Sequence, residues 1–174
     1  MAEPMKKTIL VVDDEPDVRT FLSAALMQAG FEVVVAADGF EALEMVKQKP
    51  PDLISLDLVM PKKSGVKFHR ELTRNKQWAK IPILIVTGHA RDDLGKADLK
   101  ELTMSGPGIY LEKPVKPDNY IAAIKKILGI ESSDEETKLA DQVELQSELK
   151  DLVDDADVET LKRVRDLLRG THRK

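Results

Sequence analysis

Ile9-Leu10-Val11-Val12-Asp13-Asp14-Glu15-Pro16 compresses a strand, an acidic turn and the start of a helix into one short run. Three of its four leading residues are β-branched, which suits a strand covered on both faces, as strands in parallel sheets are. Pro16 suits a first helical position, because the N–H it lacks has no intrahelical duty there. Downstream, short apolar runs keep alternating with longer amphipathic stretches. The spacing predicts strands over Ile9–Val12, Phe31–Ala36, Asp52–Leu56, Ile83–Val86 and Ile109–Leu111.

Between these runs lie helices with readable ends. The first opens at Pro16 and stops at Gly30, and the second runs from near Asp38, with Glu41 as a capping-box partner, to about Lys49 before Pro50-Pro51. Others are expected over Val66–Arg74, between Arg91 and Met104, and over Pro117–Leu128 closed by Gly129. Strand, helix, strand in regular succession is the pattern of βαβ units, so the fold class is α/β with a five-stranded parallel sheet. The first domain is expected to span residues 1–130.

Residues 131–136, Glu-Ser-Ser-Asp-Glu-Glu, break the alternation, and Ser133 with Glu136 reads as the capping box of a new helix. A C-terminal helical extension over residues 131–174 follows. One apolar stripe runs through Leu139, Val143, Leu149, Leu152 and Val153, and another through Val158, Leu161, Val164, Leu167 and Leu168. Their phase slips across Asp154–Asp157, which predicts two helices paired as an antiparallel hairpin.

The 174 residues carry a net charge of −4, yet residues 131–174 alone hold 13 acidic and 8 basic side chains, leaving the rest near neutral. Neither part has the basic excess of a nucleic-acid surface, and aromatics at 4% offer few platforms for stacking bases. The absence of cysteine excludes disulfides, zinc–thiolate sites and thiol nucleophiles. No apolar run is long enough for a signal-peptide core or a membrane span, so a cytoplasmic location without membrane insertion is expected. His69, His89 and His172 have no metal-ligand spacing and are taken as surface or near-site residues.

In open parallel sheets, loops at the carboxyl ends of the strands build the binding site. Asp13 and Asp14 follow the first strand, Asp57 the third, Thr87 the fourth and Lys113 the fifth. Each alone has a blander duty in a helix cap or a turn. Their coincidence at strand ends favours chemistry. Three carboxylates brought together repel unless a cation neutralises them, and hard oxygen donors in that number suit Mg2+. With the metal on Asp14 directly and Asp13 through water, Asp57 can be both a ligand and the nucleophile that attacks phosphorus, giving an acyl phosphate. Lys113 and Thr87 would neutralise the remaining phosphoryl oxygens.

Val-Val-Asp13-Asp14-Glu-Pro, Leu-Asp57-Leu-Val-Met-Pro61-Lys-Lys-Ser-Gly65, Ile-Val-Thr87-Gly88 and Tyr110-Leu-Glu-Lys113-Pro114 together resemble, in order and spacing, the receiver domains of two-component response regulators. The resemblance covers roughly residues 6–129. It implies a flavodoxin-like (βα)5 fold with strand order 2-1-3-4-5, an order the family is known for. It further implies Asp57 as the phosphoacceptor, Asp13 and Asp14 as the metal acids, Val59 as the residue whose backbone carbonyl completes the metal shell, Thr87 and Tyr110 as a switch pair, and a lysine, Lys113, whose bond to Pro114 is often cis. Two departures stand out. The stretch from Thr87 to Lys113 is longer than usual, and Pro107 replaces the small residue expected after Gly106.

The expected function is a phosphorelay response regulator. A sensor histidine kinase or phosphotransfer protein would phosphorylate Asp57, and the face built by the fourth and fifth strand–helix units would switch its binding to a downstream signalling protein. Such a chain is a phosphoacceptor rather than an enzyme, limited to its own phosphotransfer and slow self-dephosphorylation. A homodimer through the helical tail is a further expected partner. Two other classes compete. Residues 131–174 could serve a DNA-binding transcriptional regulator, but their net acidity and a basic cluster interleaved with apolar residues argue against nucleic acid. A haloacid-dehalogenase-like phosphatase also uses Asp, Mg2+ and Lys, but places its nucleophile in an early Asp-x-Asp, the reverse of the order here.

Overall fold

The computed structural model describes residues 5–60, 62–88 and 110–170. Five strands, β1 (Thr8–Val12), β2 (Glu32–Ala36), β3 (Leu53–Leu56), β4 (Ile83–Thr87) and β5 (Tyr110–Glu112), form one parallel sheet in the order β2-β1-β3-β4-β5. Around it lie α1 (Pro16–Gln28), α2 (Gly39–Gln48), α3 (Gly65–Arg74), a 3-10 turn (Trp78–Lys80) and α4 (Pro117–Leu128), followed by α5 (Asp134–Asp155) and α6 (Val158–Gly170). The helix expected between Arg91 and Met104, like Ile109, lies outside the described residues.

Alternation along each strand divides the core in two. Leu10, Val12, Ile54 and Leu56 pack with Val46, Phe68 and Leu72 of α2 and α3. Ile9, Val11, Leu53 and Leu84 pack with Leu22 and Leu26 of α1 and Tyr120, Ile121 and Ile124 of α4. A strand feeding two cores is apolar on both sides, which is why Ile9–Val12 of β1 reads as an unbroken run.

Helix ends explain where the strand limits differ from those read in the sequence. At the end of α1 the Gly30 N–H donates to the Met27 carbonyl and the Phe31 N–H to that of Leu26, with Gly30 at φ +94°, so Phe31 closes the helix and β2 starts one residue later. Gly129, at φ +64°, closes α4 in the same way, with Ile130 donating to Lys125. The Asp52 carboxylate accepts from the Thr8 N–H (2.8 Å) and Lys7 (3.2 Å), which leaves Leu53 as the first residue of β3. The capping box expected of α2 forms in altered shape. Asp38 caps Phe40 and Glu41, but the Glu41 carboxylate accepts from the Ala37 N–H instead of that of Asp38.

The new helix after the polar break starts at its predicted cap, with the Ser133 hydroxyl accepting from Glu136 N–H and the Glu136 carboxylate from Ser133 N–H. The antiparallel hairpin is corrected. Helix α5 packs on α4 and β5, burying Ala140, Val143 and Ser147, whereas α6 buries no residue. Val143 completes the α1/α4 side of the core beside Leu111 and Ile121, so the surface of the first domain, and not α6, is where α5 places its inner face. His69 is corrected as well. It is 9% exposed, on the inner side of α3 with Val66, Phe68 and Leu72. No helix among the described residues is long and apolar enough to cross a membrane.

Candidate functional site at the carboxyl edge of the sheet

The strands aim their last residues at one edge. The Asp13 N–H donates to Ala36 of β2 (3.1 Å) and the Asp57 N–H to Val12 of β1 (2.9 Å), so ladder hydrogen bonds fix both acids in register just beyond the sheet. Asp13 (1% exposed) and Asp57 (4%) are buried, and Asp14 is half-buried. One carboxylate oxygen from each of Asp13, Asp14 and Asp57 lies within 4.8 Å of the others.

Lys113, delivered by the end of β5, reaches into this group. Its Nζ lies 2.7 Å from Asp13 Oδ2, 3.2 Å from Asp57 Oδ2 and 3.1 Å from Glu15 Oε1. The Lys113–Pro114 bond is cis. Burial alone would lower the Lys113 pKa, but the hydrogen bond to Asp13 and the charges of Asp57 and Asp13 outweigh it and hold the ammonium above its ordinary value. Asp57 is pushed up, chiefly by burial and further by the charge of Asp13, against the opposing pull of Lys113. A cation bound beside Asp57 would stabilise the charged form that burial disfavours.

The loop after β3 holds Asp57 by close backbone approach. The Val59 N–H donates to Asp57 Oδ1 (3.2 Å) and the Gly65 N–H to the Leu58 carbonyl (3.1 Å). A Cβ on Gly65 would stand 2.1 Å from the Asp57 carbonyl oxygen, so this position admits only glycine without movement of the backbone that carries the acid. Gly39 is constrained on the other side of the same loop, where a Cβ would meet the Lys63 carbonyl at 2.9 Å.

Of the residues expected at the site, Asp13, Asp14, Asp57 and Lys113 come together directly. Val59 is in the same loop, 41% exposed. Thr87 ends β4 in register with Glu112, and its side chain lies outside the described residues. Tyr110 is in register with Ile85 and only 3% exposed, its ring within the α2/α3 side of the core. Three participants had no role assigned to them in the sequence. Glu15 binds Lys113, the Arg19 guanidinium donates to the Asp13 carbonyl (2.7 Å), and Gly65 admits the Asp57 backbone. Glu15 had a signal in its place beside the two aspartates. Arg19 had none, because its target is a backbone atom.

Residues 9–125 match the family model described as the response regulator receiver domain. The chain belongs to that family. As a receiver it is a signalling protein of the two-component type. The phosphate regulon transcriptional regulatory protein PhoB of Pseudomonas aeruginosa is 35% identical over 122 residues, covering 70% of this chain and 52% of that protein. The alkaline phosphatase synthesis transcriptional regulatory protein PhoP of Bacillus subtilis is 39% identical over 125 residues, covering 71% and 49%. The receiver chain thus spans about half the length of the curated relatives it matches. Among solved structures, the chemotaxis protein CheY4 of Vibrio cholerae aligns with a TM-score of 0.63 at 29% identity, over 71% of this chain and 99% of that one. The receiver domain of the sensor histidine kinase PA1611 of Pseudomonas aeruginosa, solved with a magnesium ion coordinated in its active-site cleft, aligns with a TM-score of 0.63 at 26% identity, over 72% and 99%.

Proposed function

We propose that Asp57 accepts a phosphoryl group from the phosphohistidine of a sensor kinase or phosphotransfer protein and that the rest of the chain responds to this mark. The observation that carries the reading is the gathering of Asp13, Asp14 and Asp57 around an ammonium that touches two of them. An Asp57 carboxylate oxygen attacks phosphorus, the P–N bond to the donor imidazole breaks, and the electron pair leaves with the imidazole. The product is an acyl phosphate on Asp57.

The acidic donor set fits a hard divalent cation, with Asp13, Asp14 and Asp57 supplying carboxylate oxygens and Val59 a backbone carbonyl. When bound, Mg2+ supplies the positive charge that lets a crowded carboxylate and an incoming phosphoryl group approach each other. Lys113 already spans Asp13 and Asp57 and is placed to follow charge from the carboxylate to a phosphoryl oxygen. Thr87 is assigned to a second phosphoryl oxygen on the strength of its place at the end of β4, and Tyr110, two residues into the facing ladder, to the response behind it. No general base is required, because the nucleophile loses no proton.

Transcriptional output belongs to the names of the relatives, about half of whose length this chain matches, and the receiver family model ends at residue 125. The helices beyond it favour a protein partner, since α5 holds nine acids against two lysines. The test is intact-mass spectrometry after acetyl phosphate or a cognate kinase is added with Mg2+. One phosphoryl group per chain is expected in the wild type, none after Asp57→Ala and little with a chelator. Normal labelling of Asp57→Ala would overturn the reading, and steady turnover of phosphomonoesters would favour a phosphatase.

A further inference from the structure

We propose that two copies of this chain join through their tails, with α6 of each copy lying on α5 of the other. The proposal goes beyond phosphotransfer and rests on different residues. Along α5, with about 100° of rotation per residue, Ala140, Val143 and Ser147 share the side that docks on α4 and β5, and Leu145, Leu149 and Leu152 share the side across from it. Those three leucines are 55%, 49% and 68% exposed. Helix α6 is amphipathic yet buries nothing, leaving Val164, Leu167 and Leu168, within about 100° of one another around the helix, at 36%, 72% and 63%. Two apolar stripes in succession, both in water, exceed what a monomer ordinarily exposes.

Charge decides which surfaces match. Helix α5 carries nine acids against two lysines, while α6 carries Lys162, Arg163, Arg165 and Arg169 against Glu159 and Asp166. Pairing α5 with α5 or α6 with α6 would set like charges beside each other. Pairing α5 with α6 brings a strongly acidic helix against a net basic one. A two-fold axis makes that contact twice, each copy giving one α6 and receiving one, and the association closes without further growth. Within one chain the helices are separated by a fresh start at Asp157, whose carboxylate accepts from the Thr160 N–H (2.7 Å), and α6 does not pack back on its own α5.

The experiment is light scattering of the unphosphorylated full chain with no kinase present, so it stands or falls apart from the phosphotransfer reading. At concentrations on the order of 100 μM the wild type is expected at twice the chain mass. Lys162→Glu, Arg165→Glu and Arg169→Glu together reverse α6 and should weaken the dimer by at least about 10-fold. Adding Glu148→Lys and Asp155→Lys on α5 to the same chain should restore it to within about 3-fold of wild type. All five side chains are exposed and away from the receiver, and circular dichroism verifies that helix content is kept. A wild type at the single-chain mass overturns the proposal, including the case of α6 folded onto its own α5. So does an α6 reversal that leaves the dimer intact, as pairing of like helices would, or failure of the fivefold variant to regain the dimer.

Discussion

Among the described residues between Thr8 and Leu128 most large apolar side chains find a place on one of two faces of a sheet, whereas among those beyond Ser133 most remain in water. Both regions contain helices started by a side-chain cap, Asp38 and Ser64 in the receiver and Ser133 in the tail. They differ in what tertiary contact adds. The receiver's central strands β1 and β3 are buried on both faces, so each of their residues is tied to a core and to a ladder. Helix α5 touches the receiver along one narrow side, where Val143 is the one sizeable apolar side chain buried, assisted by Lys125–Glu136 (2.7 Å), Lys126–Asp141 (2.8 Å) and Lys150–Glu112 (2.7 Å). Exposed ion pairs of this kind contribute little each. The comparison teaches that secondary structure and capping alone do not distinguish a rigid element from one free to leave.

The difference is most sharply tested in the receiver. Gly65→Ala forces a Cβ against the Asp57 carbonyl and should cost about 3 kcal/mol, on the scale of strong overpacking. A thermal melt should fall by roughly 10 °C for a domain of this size. If the melt hardly moves, the loop carrying Asp57 is not held as tightly as its geometry indicates. A smaller and local effect is expected in the tail. Val143→Ala should cost about 1.5 kcal/mol of docking and speed amide exchange in α5 by about 10-fold, leaving β1 and β3 protected as before. Equal loss of protection in β1 and β3 would show that the two regions unfold as one.

The smallest effect is one of pH. The hydrogen bond from Lys125, joined by the Ser133 N–H, holds the Glu136 carboxyl below its ordinary value of 4.5. A carboxyl with a depressed folded value stabilises the folded arrangement above its unfolded pKa and loses that contribution as pH falls through the folded one. Protection of α5 amides, taken relative to their intrinsic exchange rates, should therefore fall below about pH 4.5 in the wild type and show less of this dependence in Glu136→Gln. Identical pH profiles for the two proteins would remove Glu136 from the account of docking.

Much of the receiver was legible because its signals are periodic and local. Continuous β-branched runs, Pro16 at a helix start and Gly129 at a helix end each have one structural meaning, and the acids just past those runs had to lie at one sheet edge. The tail was misread for a physical reason. The stripe read in the sequence joined Val143, which docks, to Leu149 and Leu152, which stay in water, while the other docked residues, Ala140 and Ser147, are too small or polar to stand out in the sequence. At the site, the contact of Glu15 with Lys113, 98 positions apart, could be found only once β5 was beside the loop after β1.

Ser147 has one more consequence. Its hydroxyl lies 3.2 Å from the carbonyl of Tyr110, on the last strand of the sheet, and Lys150 reaches Glu112 on the same strand. A border strand with spare backbone groups invites a stranger's strand to extend the sheet. With α5 lying against it, β5 is guarded from such growth while the opposite border, β2, keeps Val35 in water and Glu32 at its head. Any loss of α5 therefore does more than free a helix. It uncovers a second flank on which chains can stack, and misassembly would begin there.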